Sequence, residues 1–189
     1  MFLKRSDPYA LLVGMVGVKM GDRVVQIGCA HGGRLGAVAA KVGLSGRAVI
    51  VVPDETSASR ARKGAANAGV LVEVEMGAPM HLPIEDAAFD VAVVDDTGGV
   101  VGALRPEERI ASVRELVRVL RPGGRVILIG AAPRGGLGAL LSRAQSGPPF
   151  AASGDAGKAL QADGFKSVRT LAEREGLVFV EGVKPRHDR

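Results

Sequence analysis

The stretch of this chain that decides its fold is VVQIGCAHGG, residues 24–33. Its first four residues are mostly apolar, as in a strand that is covered on both faces. Glycines follow at Gly28, Gly32 and Gly33, and residues 34–42 then carry apolar side chains at helical spacing. Glycines in such a turn let the backbone approach a ligand, and the start of the helix offers unpaired N–H groups. We therefore expect a nucleotide to bind at this turn.

Strand and helix patterns alternate along the rest of the first two thirds of the chain. Strands are predicted at residues 23–27, 48–52, 71–76, 89–94 and 125–129, and helices between them at 34–42, 57–68 and 106–120. This alternation is typical of a parallel sheet with helices on both of its faces.

The last third of the chain follows a different pattern. It predicts helices near 137–144 and at 155–161, a break at 146–149, and two strands at 167–171 and 177–183. The short link between the last two strands requires them to be antiparallel. We expect one domain over residues 1–189, with a short helical segment within 1–20 and a frayed tail at 184–189.

Composition and charge argue against several functional classes. The net charge is +5, but basic and acidic residues are mixed along the chain, and five Phe, one Tyr and no Trp offer little for bases to stack on. We therefore do not expect nucleic acid as a partner. The single cysteine excludes an internal disulfide, and three scattered histidines give no spacing suited to a metal site. Because no signal peptide or membrane span is recognised, we expect a cytoplasmic protein.

Four motifs in this order resemble those of the class I S-adenosylmethionine-dependent methyltransferase family. Residues 20–32, MGDRVVQIGCAHG, resemble the family's first motif, Gly-Asp-x-Val-Leu-Asp-x-Gly-x-Gly-x-Gly. Residues 82–91, LPIEDAAFDV, resemble its approach to the fourth strand, and residues 115–126, ELVRVLRPGGRV, its passage from helix to fifth strand. Gly164-Phe165 completes the match before the sixth strand. The resemblance covers about residues 9–185 and points to the branch that includes quinone-biosynthesis methyltransferases.

This resemblance implies an α/β, Rossmann-like, seven-stranded class I methyltransferase sheet with five parallel strands, a C-terminal antiparallel hairpin and helices on both faces. It also implies S-adenosylmethionine as cofactor, bound across the carboxyl ends of the first strands. The implied cofactor-binding residues are Gln26, Gly28, Cys29, Ala30, Gly32, Val52, Pro53, Asp54, Ala78, Pro79 and Asp95.

Several of these positions depart from the family pattern. Gln26 replaces an acid that helps to organise the loop, Val52 an acid that binds the ribose hydroxyls, and Ala78 an aspartate that binds the adenine amino group. Ala30 stands where the family has a glycine. Hydrogen bonds to charged groups contribute about 1.5–3 kcal/mol each, so losing three weakens binding by several powers of ten. We expect weak or altered donor binding, in which Asp54 presents a carboxylate from a shifted loop.

The sequence offers only weak candidates for catalysis. Asp95 and Asp96 follow the fourth strand and could orient or deprotonate a methyl acceptor, but a pair of acids facing water fits equally well. His31 could contact the donor or act as a base, or be a loop residue without a role. Cys29 is interpreted as a small buried hydrophobe. Arg60 and Arg62 are expected on a solvated helix face, with a phosphate-bearing ligand as the lesser alternative.

Two functions remain open at this stage. The first is an S-adenosylmethionine-dependent methyltransferase-like protein that acts on an unidentified small molecule, since methyl transfer can proceed by positioning alone. The second is a catalytically silent protein of the same fold that serves as a binding or regulatory subunit. Because the segment before the first strand is short, we expect an open cleft, with a protein partner or a second copy covering it. Glycine-containing loops at residues 97–102 and 134–136 are candidates for a flexible cover.

Overall fold

A computed structural model describes residues 7–133 and 149–186 of the chain. The helices are α1 (Ala10–Val16), α2 (Gly32–Val42), α3 (Glu55–Ala68), α4 (Pro106–Val119) and α5 (Asp155–Ala162). The strands are β1 (Arg23–Ile27), β2 (Arg47–Val52), β3 (Glu73–Met76), β4 (Phe89–Asp95), β5 (Leu120–Ala131), β6 (Lys166–Arg174) and β7 (Leu177–Val183). The helix predicted at 137–144 and the glycine segment 134–136 lie outside the described residues.

The strands form a single sheet of seven in the order β3-β2-β1-β4-β5-β7-β6. Neighbouring strands from β3 to β5 are parallel, and β7 pairs antiparallel with both β5 and β6. This arrangement confirms the predicted Rossmann-like α/β sheet and its C-terminal hairpin. The hairpin is tighter than predicted, because Glu175 and Gly176 alone connect the strands with φ values of 54° and 74°. Positive φ at both residues is typical of a two-residue hairpin turn.

The central strands are buried on both faces, which explains their nearly continuous apolar sequences. Alternate residues of β1 and β2, such as Val25 and Val49, point into a cluster with α4 and α5. The residues between them point to the opposite face. There Val24 packs with α1 and α2, and Ile50 packs with α2 and α3. The sheet is therefore the middle of three layers.

Helices α2 and α3 touch through glycines. A Cβ atom at Gly64 of α3 would overlap the carbonyl oxygen of Gly32, and one at Gly32 would lie 2.5 Å from the Arg60 oxygen. Gly32, one of the implied cofactor-binding residues, is buried against α3. The close approach of the two backbones brings the first half of α3 beside the loop that follows β1.

The predicted frayed tail does not begin at Lys184. The backbone of Lys184 exchanges hydrogen bonds with Gly123 and Gly124, and its ammonium group donates to the carbonyl oxygens of Val117 and Leu120. These oxygens lie at the C-terminal end of α4, where a cation is favourable. Residue 184 therefore attaches the end of the hairpin to α4.

The glycine contact between α2 and α3 predicts that Gly64→Ala destabilises the protein. The added methyl group forces the helices apart, and overpacking of this kind costs about 1–3 kcal/mol of unfolding free energy. Urea denaturation followed by circular dichroism measures the change.

Gly157→Ala is the matched control, because Gly157 also lies inside a helix but its Cβ would meet only Val168, at 3.7 Å. This variant should be unchanged or more stable by up to about 1 kcal/mol, through helix propensity alone. Equal stability changes in the two variants would contradict close packing at Gly64.

Candidate functional site

The carboxyl ends of β1, β2 and β4 surround a small cleft. Its walls are formed by Gly28, Cys29, Ala30, Pro53, Asp54, Ser57, Arg60, Asp95, Gly98 and Val100, and its volume is about 170 Å³. We call this site the carboxyl-end cleft. In the sheet, β1 lies between β2 and β4. The connection from β1 to β2 therefore runs in the opposite direction across the sheet from the connection between β4 and β5. Open α/β sheets bind nucleotides outside the carboxyl ends of their strands at such a switch point.

Gly28 is required by the geometry of the loop after β1. Its φ is 80°, which favours glycine, and a Cβ atom there would lie 2.9 Å from Cγ1 of Val100. Its N–H donates to the carbonyl oxygen of Val51 at 2.9 Å, which continues the β1–β2 pairing into the loop. The first glycine of the motif therefore brings bare backbone to the cleft wall.

Three polar backbone atoms of this loop are bound by side chains of the chain itself. The Gln26 amide donates to the Gly28 oxygen at 2.9 Å, and the Arg60 guanidinium donates to the Cys29 oxygen at 2.5 Å. The Ala30 N–H donates to Oδ2 of Asp95 at 3.1 Å. The Cys29 oxygen and the Ala30 nitrogen belong to one peptide group. That peptide is therefore held between a cation and a carboxylate.

Asp95 holds the loop from the end of β4. Its side chain is only 1% exposed, and besides Ala30 it binds Arg34 at 3.3 Å and the Thr97 hydroxyl at 2.6 Å. Arg34 also donates to the Thr97 hydroxyl at 2.8 Å. The Asp95 carboxylate thus lies in the cleft wall with both of its oxygens engaged.

Asp96 points elsewhere and closes the next loop. Its Oδ1 accepts hydrogen bonds from the N–H groups of Val101 and Gly102, both at 2.8 Å. Burial raises the pKa of Asp96, although these two hydrogen bonds act in the opposite direction. The interpretation of Asp95 and Asp96 as a pair facing water is wrong, because each carboxylate is buried to satisfy loop amides.

On the β2 side, the carboxylate that faces the cleft belongs to Asp54. Val52 is fully buried in an apolar cluster with Cys29 and Leu35, so it presents nothing to the cleft. Asp54 is exposed and caps α3, where its Oδ1 accepts the Ser57 N–H at 2.7 Å. This hydrogen bond lowers the pKa of Asp54, so the group is ionised at neutral pH.

Three other predicted residues lie outside the cleft wall. Ala78 is exposed and Pro79 buried, in a turn closed by a 2.9 Å hydrogen bond from the His81 N–H to the Ala78 oxygen. His31 is exposed, and the centre of its ring lies 5.9 Å from that of Tyr9. The structure therefore brings together the loop after β1, the start of α3 and the end of β4, but not these residues.

Sequence reasoning missed Ser57, Arg60, Gly98 and Val100 as wall residues. Asp54, Ser57 and Arg60 are spaced by three, and residues three apart share one face of a helix. That spacing was a signal for this side of the cleft. Arg60 was expected on a solvated face; it is exposed but also contacts the loop after β1.

A larger groove of about 600 Å³ lies at the opposite edge, where β2 and β3 begin and α2 and α3 end. It is not at the carboxyl ends of the strands, so it does not match the expected nucleotide position. Among residues 7–133 and 149–186, no three His, Cys, Asp or Glu side chains are grouped to hold a metal ion. Within the same residues, no helix combines the length and apolar character needed to cross a membrane.

Comparison with known proteins gives consistent matches. The family described as methyltransferase domain matches residues 24–124. The 27-O-demethylrifamycin SV methyltransferase of Amycolatopsis mediterranei is 34% identical over 120 residues, which are 62% of this chain and 41% of that protein. An uncharacterized 37.1 kDa protein in transposon TN4556 of Streptomyces fradiae is 31% identical over 119 residues, 63% of this chain and 33% of that protein.

The fold is also found in solved structures. A SAM-dependent methyltransferase from Aquifex aeolicus superimposes with a TM-score of 0.71 at 20% identity, covering 95% of both chains. The alignments with the first curated relatives cover only 33% to 45% of those relatives' own length.

The environment of Cys29 predicts a thiol of low reactivity. Burial and the nearby Asp95 carboxylate raise its pKa to about 11, so roughly one thiol in a thousand is ionised at pH 8. Alkylation by iodoacetamide, followed by intact mass, should therefore accelerate steadily with pH up to about pH 10. A rate that levels off below pH 9 would contradict this environment.

The contacts of Asp95 predict that it stabilises the loop after β1, so a variant without its charge should be less stable. Asp95→Asn loses the charge and replaces one of the two acceptor oxygens with an NH2 donor, so it can no longer accept from both the Ala30 N–H and Arg34, and unfolding free energy should fall by about 1.5–3 kcal/mol. Asp86→Asn is the control, because Asp86 pairs with Arg118 but is 75% exposed, and its loss should cost at most about 1 kcal/mol. Equal effects in urea denaturation would contradict the role of Asp95 in holding the loop.

Proposed function

Since the chain belongs to the class I S-adenosylmethionine-dependent methyltransferase family, we propose that it binds S-adenosylmethionine in the carboxyl-end cleft and methylates a small molecule. The observation that carries this proposal is the position of Asp54, an ionised carboxylate facing the glycine loop. When bound, S-adenosylmethionine supplies an activated methyl group.

The residues present fit the nucleoside part of this cofactor. Asp54 is suited to accept hydrogen bonds from ribose hydroxyls, in the role that the family gives to the residue at position 52. Gly28, Cys29 and Ala30 offer backbone without bulky side chains to the rest of the cofactor. Gly32 supports the loop by packing on α3, and Pro53 precedes the carboxylate. Ala78 and Pro79 are proposed to lie near the adenine edge through backbone contacts alone.

We further propose that binding is weaker than in relatives with the full set of acids. Gln26 uses its amide to hold the Gly28 oxygen and brings no charge. Ala78 has no side-chain acceptor for an adenine amino group. The cleft measures about 170 Å³, whereas ligand sites commonly measure about 300–1,000 Å³. Binding therefore requires the cleft to widen.

For catalysis, we propose positioning and proximity rather than a dedicated base. Asp95 and Asp96 are both committed to loop hydrogen bonds, and His31 lies away from the cleft wall. The name of the Amycolatopsis relative supports a small-molecule acceptor. Cover by a protein partner or a second copy, a cytoplasmic location and the quinone-biosynthesis branch stay predictions.

Isothermal titration with S-adenosylmethionine and S-adenosylhomocysteine tests the proposal. We expect the wild type to bind detectably by about millimolar ligand, and Asp54→Asn to bind about five- to tenfold more weakly, because the acceptor loses its charge. Asparagine is as good an N-cap as aspartate, so the helix should keep its stability.

Glu55→Gln is the control for this change. Glu55 begins the same helix, is exposed, and pairs with Arg62 rather than facing the cleft. The affinity of Glu55→Gln for S-adenosylmethionine and S-adenosylhomocysteine should match that of the wild type. An absence of binding at millimolar ligand would overturn the proposed function, and equal affinities in both variants would overturn the role of Asp54.

A further inference from the structure

Arg60 extends from α3 to the loop after β1 and so crosses the part of the carboxyl-end cleft beside Asp54. We call this part the nucleoside end, because the proposed ribose acceptor lies there. Nη1 of Arg60 donates to the Cys29 oxygen at 2.5 Å, while its own helix follows β2. The side chain thus joins the elements that follow two neighbouring strands. Nucleotides in open α/β sheets lie across such strand ends. A ligand in that position and the guanidinium compete for the same space.

The hydrogen bond between Arg60 and the Cys29 oxygen contributes little net stability. In the described part of the chain the guanidinium makes this one hydrogen bond and no ion pair, and the residue is exposed. Arg62, two residues later on α3, instead pairs with Glu55 at 2.5 Å. A long, exposed side chain with one partner is held by little net free energy, because water replaces that partner readily.

Displacing Arg60 would change the cleft in two ways. It would enlarge a space that is smaller than common ligand sites, and it would release the Cys29 carbonyl oxygen as an acceptor. It would leave the Asp95 contact to Ala30 and the Gln26 contact to Gly28 in place, so the loop would keep two of its three side-chain contacts.

We propose that Arg60 is an intramolecular strap that closes the nucleoside end of the carboxyl-end cleft and must swing away when a nucleoside ligand binds. This inference rests on the proposed function, because it concerns the same cleft. It makes Arg60 an affinity-determining residue that acts against the ligand, unlike Asp54, which acts for it.

Titration with S-adenosylhomocysteine compares Arg60→Ala with the wild type. Removing the strap should tighten binding about three- to tenfold, as expected when a ligand no longer displaces a surface contact. Arg60→Lys keeps the charge and a donor, and Arg62→Ala removes a cation from the same helix away from the cleft; both should bind within about twofold of the wild type. Where the wild type binds S-adenosylhomocysteine, unchanged or weaker binding in Arg60→Ala would overturn the strap.

A second measurement needs no nucleotide. Cys29 is the single cysteine. Its side chain is buried in the apolar cluster behind the loop, and its carbonyl oxygen holds Arg60, so its alkylation rate reports whether the loop loosens when that contact is lost. The Arg60 charge lowers the pKa of Cys29, and removing that charge alone would therefore slow the reaction. A several-fold faster reaction in Arg60→Ala, at a melting temperature matching that of Arg62→Ala, would show that the loop has loosened.

The two measurements separate the two proposals. If Cys29 reacts faster in Arg60→Ala but no variant binds S-adenosylhomocysteine, the strap stands and the proposed ligand is wrong. If the wild type binds the nucleoside but Arg60→Ala neither binds it more tightly nor exposes Cys29, the proposed function stands and the strap is wrong.

Discussion

The peptide group between Cys29 and Ala30 is the point on which the site depends. Asp95, from the end of β4, holds its N–H, and Arg60, from α3, holds its oxygen. Arg60 reaches that oxygen because Gly32 and Gly64 let the backbones of α2 and α3 touch. A local loop conformation is therefore fixed by residues from three separate parts of the chain. Turning this peptide over would lose both hydrogen bonds, and the Asp95 contact still opposes that change when Arg60 swings away.

The residues that depart from the family pattern all make contacts within the protein itself. Gln26, where the family has an acid, donates to the Gly28 oxygen instead of remaining an acceptor. Val52 extends an apolar cluster, and the carboxylate moves to the helix cap at Asp54. Buried backbone groups need partners, and here side chains of the same chain supply them. These backbone groups of the loop therefore have their hydrogen-bond partners within the chain itself.

Much of the fold could be predicted because the buried strands have nearly continuous apolar sequences. The strands at residues 23–27 and 177–183 were predicted with the correct ends, because turn residues on both sides limit where a run of branched apolar residues can begin and end. The order of the strands was not predicted, because it depends on pairing between distant segments. Of the site, the Gly28 turn and the Asp54 carboxylate were predicted. The burial of Asp95 and Asp96 and the contact of Arg60 were not, because their partners are loop amides and carbonyls that sequence patterns do not identify.

Strand β7 lies between β5 and β6, although it follows both in the chain. Among the described residues 7–133 and 149–186, β6 pairs with no strand except β7, so it cannot join the sheet until β7 has been synthesised. During translation the parallel part of the sheet, which carries the glycine loop, can collapse first. The hairpin can then add as a unit, and the Lys184 ammonium attaches its end to α4. Because contacts distant in sequence form slowly, β5 is an unpaired edge strand until the hairpin adds, and an unpaired strand edge is a surface with which other chains can pair.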